Sequence, residues 1–163
     1  MFNVSVKVEN TNPKLLEQLK KRAQKLARRK VAVGFPHGRL NIPHYESEHG
    51  GQGPSIIDVA IQNNFGIGVP RRDFMTPATE KWQEWCAEFV DAVKAPLLEG
   101  KVNVDDILGQ MGMKGADIIS EEIIALKTPP NAPETIIRKG SSNPLVDSGD
   151  MSKAPTFELR DVE

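Results

Sequence analysis

The side chains able to do chemistry fall in four places. Arg71 and Arg72 stand together in NNFGIGVPRRDFMTPA (63–78), a connector rich in glycine and proline. His37, His44 and His49 crowd with Glu46 and Glu48 into FPHGRLNIPHYESEHG (35–50). Cys86 is the only cysteine, and Ser148 lies close to Asp147 and Asp150 in VDSGDM. An arginine pair beside glycines could cradle phosphate, three histidines could hold a metal, and the thiol or hydroxyl could be a nucleophile.

Spacing argues against each of these. GIGVPRRD has G-x-G but no third glycine at the dinucleotide interval, and Pro70 and Arg71 follow where a helix should open. No Walker-type G-x-x-x-x-G-K-[ST] occurs. The histidines are not at H-x-x-x-H spacing and no cysteine assists them, so a polar loop is the simpler reading. Cys86 falls on an apolar helical stripe, where it serves as a small hydrophobe, with no histidine near it in sequence. Asp-Ser-Gly-Asp is ordinary turn chemistry. The sequence therefore predicts no catalytic residue, cofactor or metal.

The elements that must position these residues are legible from periodicity. Phe2, Val4, Val6 and Val8 alternate with polar residues, which predicts a half-buried strand. Asn12 and Pro13 read as a cap and first-turn pair for a helix to about Arg29, with Leu15, Leu16, Leu19, Ala23, Leu26 and Ala27 as its apolar stripe. KVAVGF (30–35) predicts a strand beside the first. Ser55 is the expected cap of a short apolar helix ending at NNFG. Thr76 and Pro77 are read as the cap and opening of a helix striped by Trp82, Trp85, Cys86, Phe89, Val93 and Leu97. Asn103 is the expected cap of another, striped by Val104, Ile107, Leu108, Met111, Ile118, Ile119, Ile123 and Leu126.

Gly109, Gly112 and Gly115 interrupt that last helix at intervals of three, which predicts close packing on one face. Beyond it, TIIRK (135–139) reads as a strand, and APTFELRDVE (154–163) as a final edge strand because of Pro155. The fold class predicted is α+β: one domain over 1–163, a small mixed or antiparallel sheet on three to four helices, a loop at 36–54 and an extended arm at 128–152. Irregular segments longer than ~12–15 residues are uncommon in a compact domain. Two of them suggest that neighbouring subunits order them.

Charge is local. The chain of 163 residues has a formal net charge of -1, yet residues 14–30 hold eight basic residues against Glu17. That basic helix could meet an acidic partner or track DNA phosphates. No run is apolar enough for a signal peptide or a membrane span, and one cysteine fits a reducing compartment.

The order VAVGFP, a polar loop, IIDVAIQNNFGIGVPRRDFMTPA, two helices, then TPPNAPETIIRKGSSNPLVDSGDM resembles the tail-completion or neck proteins of tailed bacteriophages, a group that includes minor tail and virion-morphogenesis proteins. Members read V-G-x-P, I-P-x-R-P-F-L-x-P-A and P-P-N-x-P-x-T-I-x-x-K-G-S-x-x-P-L-x-D-T-G-x-[LM]. The resemblance covers about residues 30–152 and is most specific from Pro129 to Met151. Asn64 stands where an acid is usual, Asp73 where proline is, and Ser148 where threonine is.

The resemblance implies a structural virion protein, neither enzyme nor cofactor-dependent, that mediates head–tail joining as a homo-oligomeric ring, usually of six. It would be assembled in the host bacterial cytoplasm and sit in the neck of the virion. Its partners would be copies of itself, the head connector or adaptor, and the tail terminator or tail tube, with genomic DNA passing through the lumen and no membrane or small-molecule substrate. On this view the elbow is rigid, with Phe65 and Phe74 anchored in the core and Arg71 and Arg72 aimed at a neighbour. Lys21, Arg22 and Lys25 would face a partner. Ile136, Ile137, Arg138, Lys139, Leu145 and Val146 would lie on the adjacent subunit. The alternative is a DNA-binding module using helix 14–30. A hydrolase or metalloprotein built on 36–54 is a third, weaker reading.

Overall fold

The computed structural model describes residues 13–35 and 54–162. The strand expected at 2–8, the Asn12 cap and the three histidines lie outside the described residues. Within them the fold is α+β. The order is α1 (Pro13–Ala27), β1 (Arg29–Gly34), α2 (Ile56–Phe65), α3 (Met75–Glu99), α4 (Val104–Ala125), α5 (Pro133–Lys139), α6 (Asp150–Lys153) and β2 (Thr156–Asp161). Six described helices exceed the three to four expected, the two additions lying in the supposed arm.

α4 is the centre of the molecule. Asn103 Oδ1 accepts the N–H groups of Asp105 (2.7 Å) and Asp106 (3.1 Å), as the cap residue should. Its stripe meets α2 and α3 in a core of Ile56, Ala60, Phe74, Ala78, Ile118, Ile119 and Ile123, completed by Leu145 and Met151 from the C-terminal third. β1 and β2 form an antiparallel ribbon that pairs Val33 with Phe157 and Val31 with Leu159. Among the described residues β1 therefore pairs with the final strand, more than 120 residues away. The ribbon crosses α4 at the glycines. A Cβ on Gly112 would overlap the Phe157 ring, and one on Gly115 would come within 2.9 Å of Trp82 Nε1 and Val33 Cγ1. Close packing thus explains two of the three glycines; beside Gly109 there is open space.

α2 begins as expected. Ser55 and Asp58 form a reciprocal capping box, and Gly66 ends the helix at φ 73°. The start of α3 differs from expectation. Thr76 lies inside the first turn and is itself held: its N–H and hydroxyl donate to Asp73 at 3.0 Å each. Asn64 Oδ1 accepts the N–H of Met75 at 3.1 Å, so a neutral amide from the end of α2 serves the first turn of α3.

TIIRK is helical, not a strand. Pro133 occupies the first turn with Glu134, Arg138 and Lys139 lie in the last turn, and Gly140 closes it at φ 67°. These termini outweigh the β preference of Thr135, Ile136 and Ile137.

Candidate interaction site at the elbow

Residues 63–74 close on themselves. Gly66 and Gly68 both adopt left-handed φ, 73° and 72°, and a Cβ on Gly66 would stand 2.9 Å from Arg71 Cβ. The Arg72 N–H donates to Asn63 O at 2.7 Å, sealing the turn. Phe74 is 1% exposed and edge-on to Phe35 with ring centroids 6.2 Å apart, so it is the anchor expected of it. Phe65 is not an anchor. It is 64% exposed, the chain having turned at Gly66 before its ring could reach the core.

The two arginines separate. Arg71 remains at the surface and pairs with Asp73. Arg72, expected to face a neighbour, turns inward and is only 6% exposed. Its Nε donates to Pro129 O (3.1 Å), Nη1 to Asn63 Oδ1 (2.8 Å), and Nη2 to Pro130 O (3.3 Å) and Asn131 Oδ1 (3.0 Å). The planar fork suits this, since its donors point outward in fixed directions. The described acceptors are carbonyls alone, and burial lowers the guanidinium from its ordinary value.

From Asn131 the network continues. Its amide donates to Asn143 O (3.3 Å), while Asn143 donates to Ile124 O (2.8 Å) and accepts the N–H of Leu145 (3.1 Å). Lys139 Nζ reaches the carbonyls of Asn143 and Pro144 at 3.4 and 3.5 Å. Burial lowers Lys139, Asp147 opposes that, and Arg72 and Arg138 add to the lowering.

Much of the 128–152 stretch is therefore folded at home, and an extended arm is corrected. Asn131, Pro144, Leu145 and Met151 are buried, and Ile136 and Val146 are half-buried. Leu145 belongs to this chain's core, not to a neighbour's. Ile137, at 81% exposed, and Arg138 remain outside.

The basic helix is also partly engaged within the chain. Arg22 Nη1 donates to Leu98 O (2.8 Å) and Leu97 O (3.4 Å), where the carbonyls of α3 end and a cation is favoured. Lys25 (2.6 Å) and Arg29 (3.2 Å) hold Asp105 in the first turn of α4, and Arg29 also takes Asp161 (2.9 Å). Lys25, then Arg29, keep the Asp105 carboxyl below its ordinary value. Lys21 stays on the surface, with Glu17 3.9 Å away. A shallow basin of about 410 Å³ is lined by Lys21, Gln24, Lys25, Arg28, Arg29 and Asp161.

The remaining chemical candidates are quiet. Cys86 is half-buried, and burial raises its thiol. Ser148 donates to Asp150 at the start of α6. Among the described residues no group of histidine, cysteine and carboxylates is placed to hold a metal, and no helix is long and apolar enough to cross a membrane. No family model, curated protein or solved structure matches the chain.

Proposed function

We propose that this chain is a tail-completion or neck protein of a tailed bacteriophage. It acts by protein contacts, without catalysis or cofactor, as a ring at the head-proximal end of the tail. Copies of itself, the head connector and tail proteins are its partners. The observation that carries the reading is the union of the two sequence blocks on which the resemblance rests. Arg72 of the elbow donates to Pro129, Pro130 and Asn131 of the downstream block, so the two distant blocks are joined in one hydrogen-bonded unit. Phe65 and Ile137 are both exposed and are the apolar side chains that an adjacent subunit would cover on this reading.

DNA binding through α1 gains no support from Arg22 and Arg29, which carbonyls and carboxylates of this chain already engage. Electron microscopy of particles assembled without the protein tests the proposal. Filled heads and finished tails should accumulate unjoined; normally joined particles would overturn it.

A further inference from the structure

Two oppositely charged rows lie on separate parts of the molecule. Lys21, Lys25 and Arg28 are exposed along α1 and the turn after it, where the Arg28 N–H still donates to Gln24 O and Lys25 O at 3.2 Å each. Glu84, Glu88 and Asp91 are exposed along α3. Both rows have intervals of four and then three residues, so each follows one helix face and the two match in spacing.

Neither row neutralises the other within the chain. Among the described residues none of the three acids forms an ion pair; the pairs made by α3 use Lys81 and Glu99. Like charges at these intervals destabilise a helix, so the acidic row has no local structural benefit. Arg22 fixes α1 at the Leu97–Leu98 end of α3. Glu88 and Glu84 lie about nine and thirteen residues up that helix, ~14 and ~20 Å away, beyond the reach of a side chain; Asp91 is nearer, about six residues or ~9 Å up, and still makes no ion pair among the described residues.

We propose that the basic row on α1 of one copy docks against the acidic row on α3 of a second copy. Joining two different surfaces head to tail is a heterologous contact, which builds a ring when the rotation closes. The inference rests on the reading of the chain as a ring-forming neck protein and names the surfaces that would join its subunits. Lys25 can serve both its own Asp105 and the neighbour, since an ammonium has three donors.

The test uses the full chain and two double variants that leave the ion pairs of Lys25, Arg29 and Lys81 in place and give up only the exposed 3.9 Å contact of Lys21 with Glu17: Lys21→Glu with Arg28→Glu, and Glu84→Lys with Glu88→Lys. Sedimentation and cross-linking are measured at about 0.05 M and about 0.5 M salt, with circular dichroism to confirm folding. The unaltered chain should self-associate at low salt and dissociate at high salt. Each variant alone should associate about tenfold or more weakly. An equimolar mixture of the two should recover association, because both alternating contacts are then attractive. An unaltered chain that stays monomeric at low salt, variants that assemble normally, or a mixture that fails to recover would each overturn the proposal. So would loss of duplex-DNA binding, rather than self-association, in the Lys21/Arg28 variant. Normal joining of particles without the protein would sink the neck reading alone and leave this contact standing.

Discussion

Arg72 concentrates the interactions of the elbow in one side chain. Its four hydrogen bonds tie Asn63 to Pro129, Pro130 and Asn131, and each acceptor left unpaired after truncation costs ~1–3 kcal/mol where it stays dry. Arg72→Ala should therefore lower stability by about 3–5 kcal/mol in urea unfolding, because it empties the site and strands several carbonyls. Arg72→Lys should recover less than half, as an ammonium cannot reproduce the fork. A loss below ~0.5 kcal/mol for Arg72→Ala would show that water replaces the guanidinium. The sequence could not reveal this role. Arg71 and Arg72 are adjacent and chemically identical, arginines are seldom buried, and three of the four acceptors come from a segment more than fifty residues away. The glycines at 66 and 68 did disclose the tight turn, because positive φ has a direct residue signature.

At the scale of elements, caps and glycines make separable predictions. Gly109→Ala should stabilise by ~0.5–1 kcal/mol, since open space receives the methyl group and helical propensity improves. Gly112→Ala should destabilise by about 1–3 kcal/mol, because the new Cβ must displace the Phe157 ring and with it β2. Thermal unfolding of the pair checks both signs. Helix starts also predict a pH dependence. Asp73 is held below the ordinary carboxylate range chiefly by the Thr76 N–H, Asp58 by Ser55, and Asp105 by Lys25. Depressed carboxylates give stability that is present above their unfolded value, ~3.9, and lost as pH falls through the lower folded values. Unfolding midpoints should fall on acidification below about pH 4, and Asp73→Asn with Asp105→Asn should flatten that decline. Long amphipathic helices and side-chain caps such as Ser55 and Asn103 were legible because their signals are local. Short α5 was misread because Thr135, Ile136 and Ile137 suggested a strand, although Pro133 and Gly140 already marked its ends. The pairing of β1 with β2 is non-local and leaves no mark in either strand alone.

For the whole molecule, the C-terminal third is a support for the fold before it is anything else. Leu145 and Met151 lie in the core, and β2 is the described partner of β1. Deleting 129–147 should therefore abolish cooperative unfolding rather than release a tidy body without its arm, since the deletion removes Leu145 and all the downstream acceptors of Arg72. Ile137 allows the fold and the proposed joining role to be separated. At 81% exposed it contributes little to the monomer, and Ile137→Asp should leave stability within ~0.5 kcal/mol of the parent. In the assembled neck, an isoleucine presented on a short rigid helix would fill an apolar recess of the adjacent subunit, where a carboxylate would be desolvated without a partner. The variant should then be folded by circular dichroism but should reduce the yield of joined particles at least about tenfold, with Ile137→Leu restoring it. Equal yields from the aspartate and leucine variants would mean that this helix faces solvent in the particle, and that the joining contact lies elsewhere on the molecule.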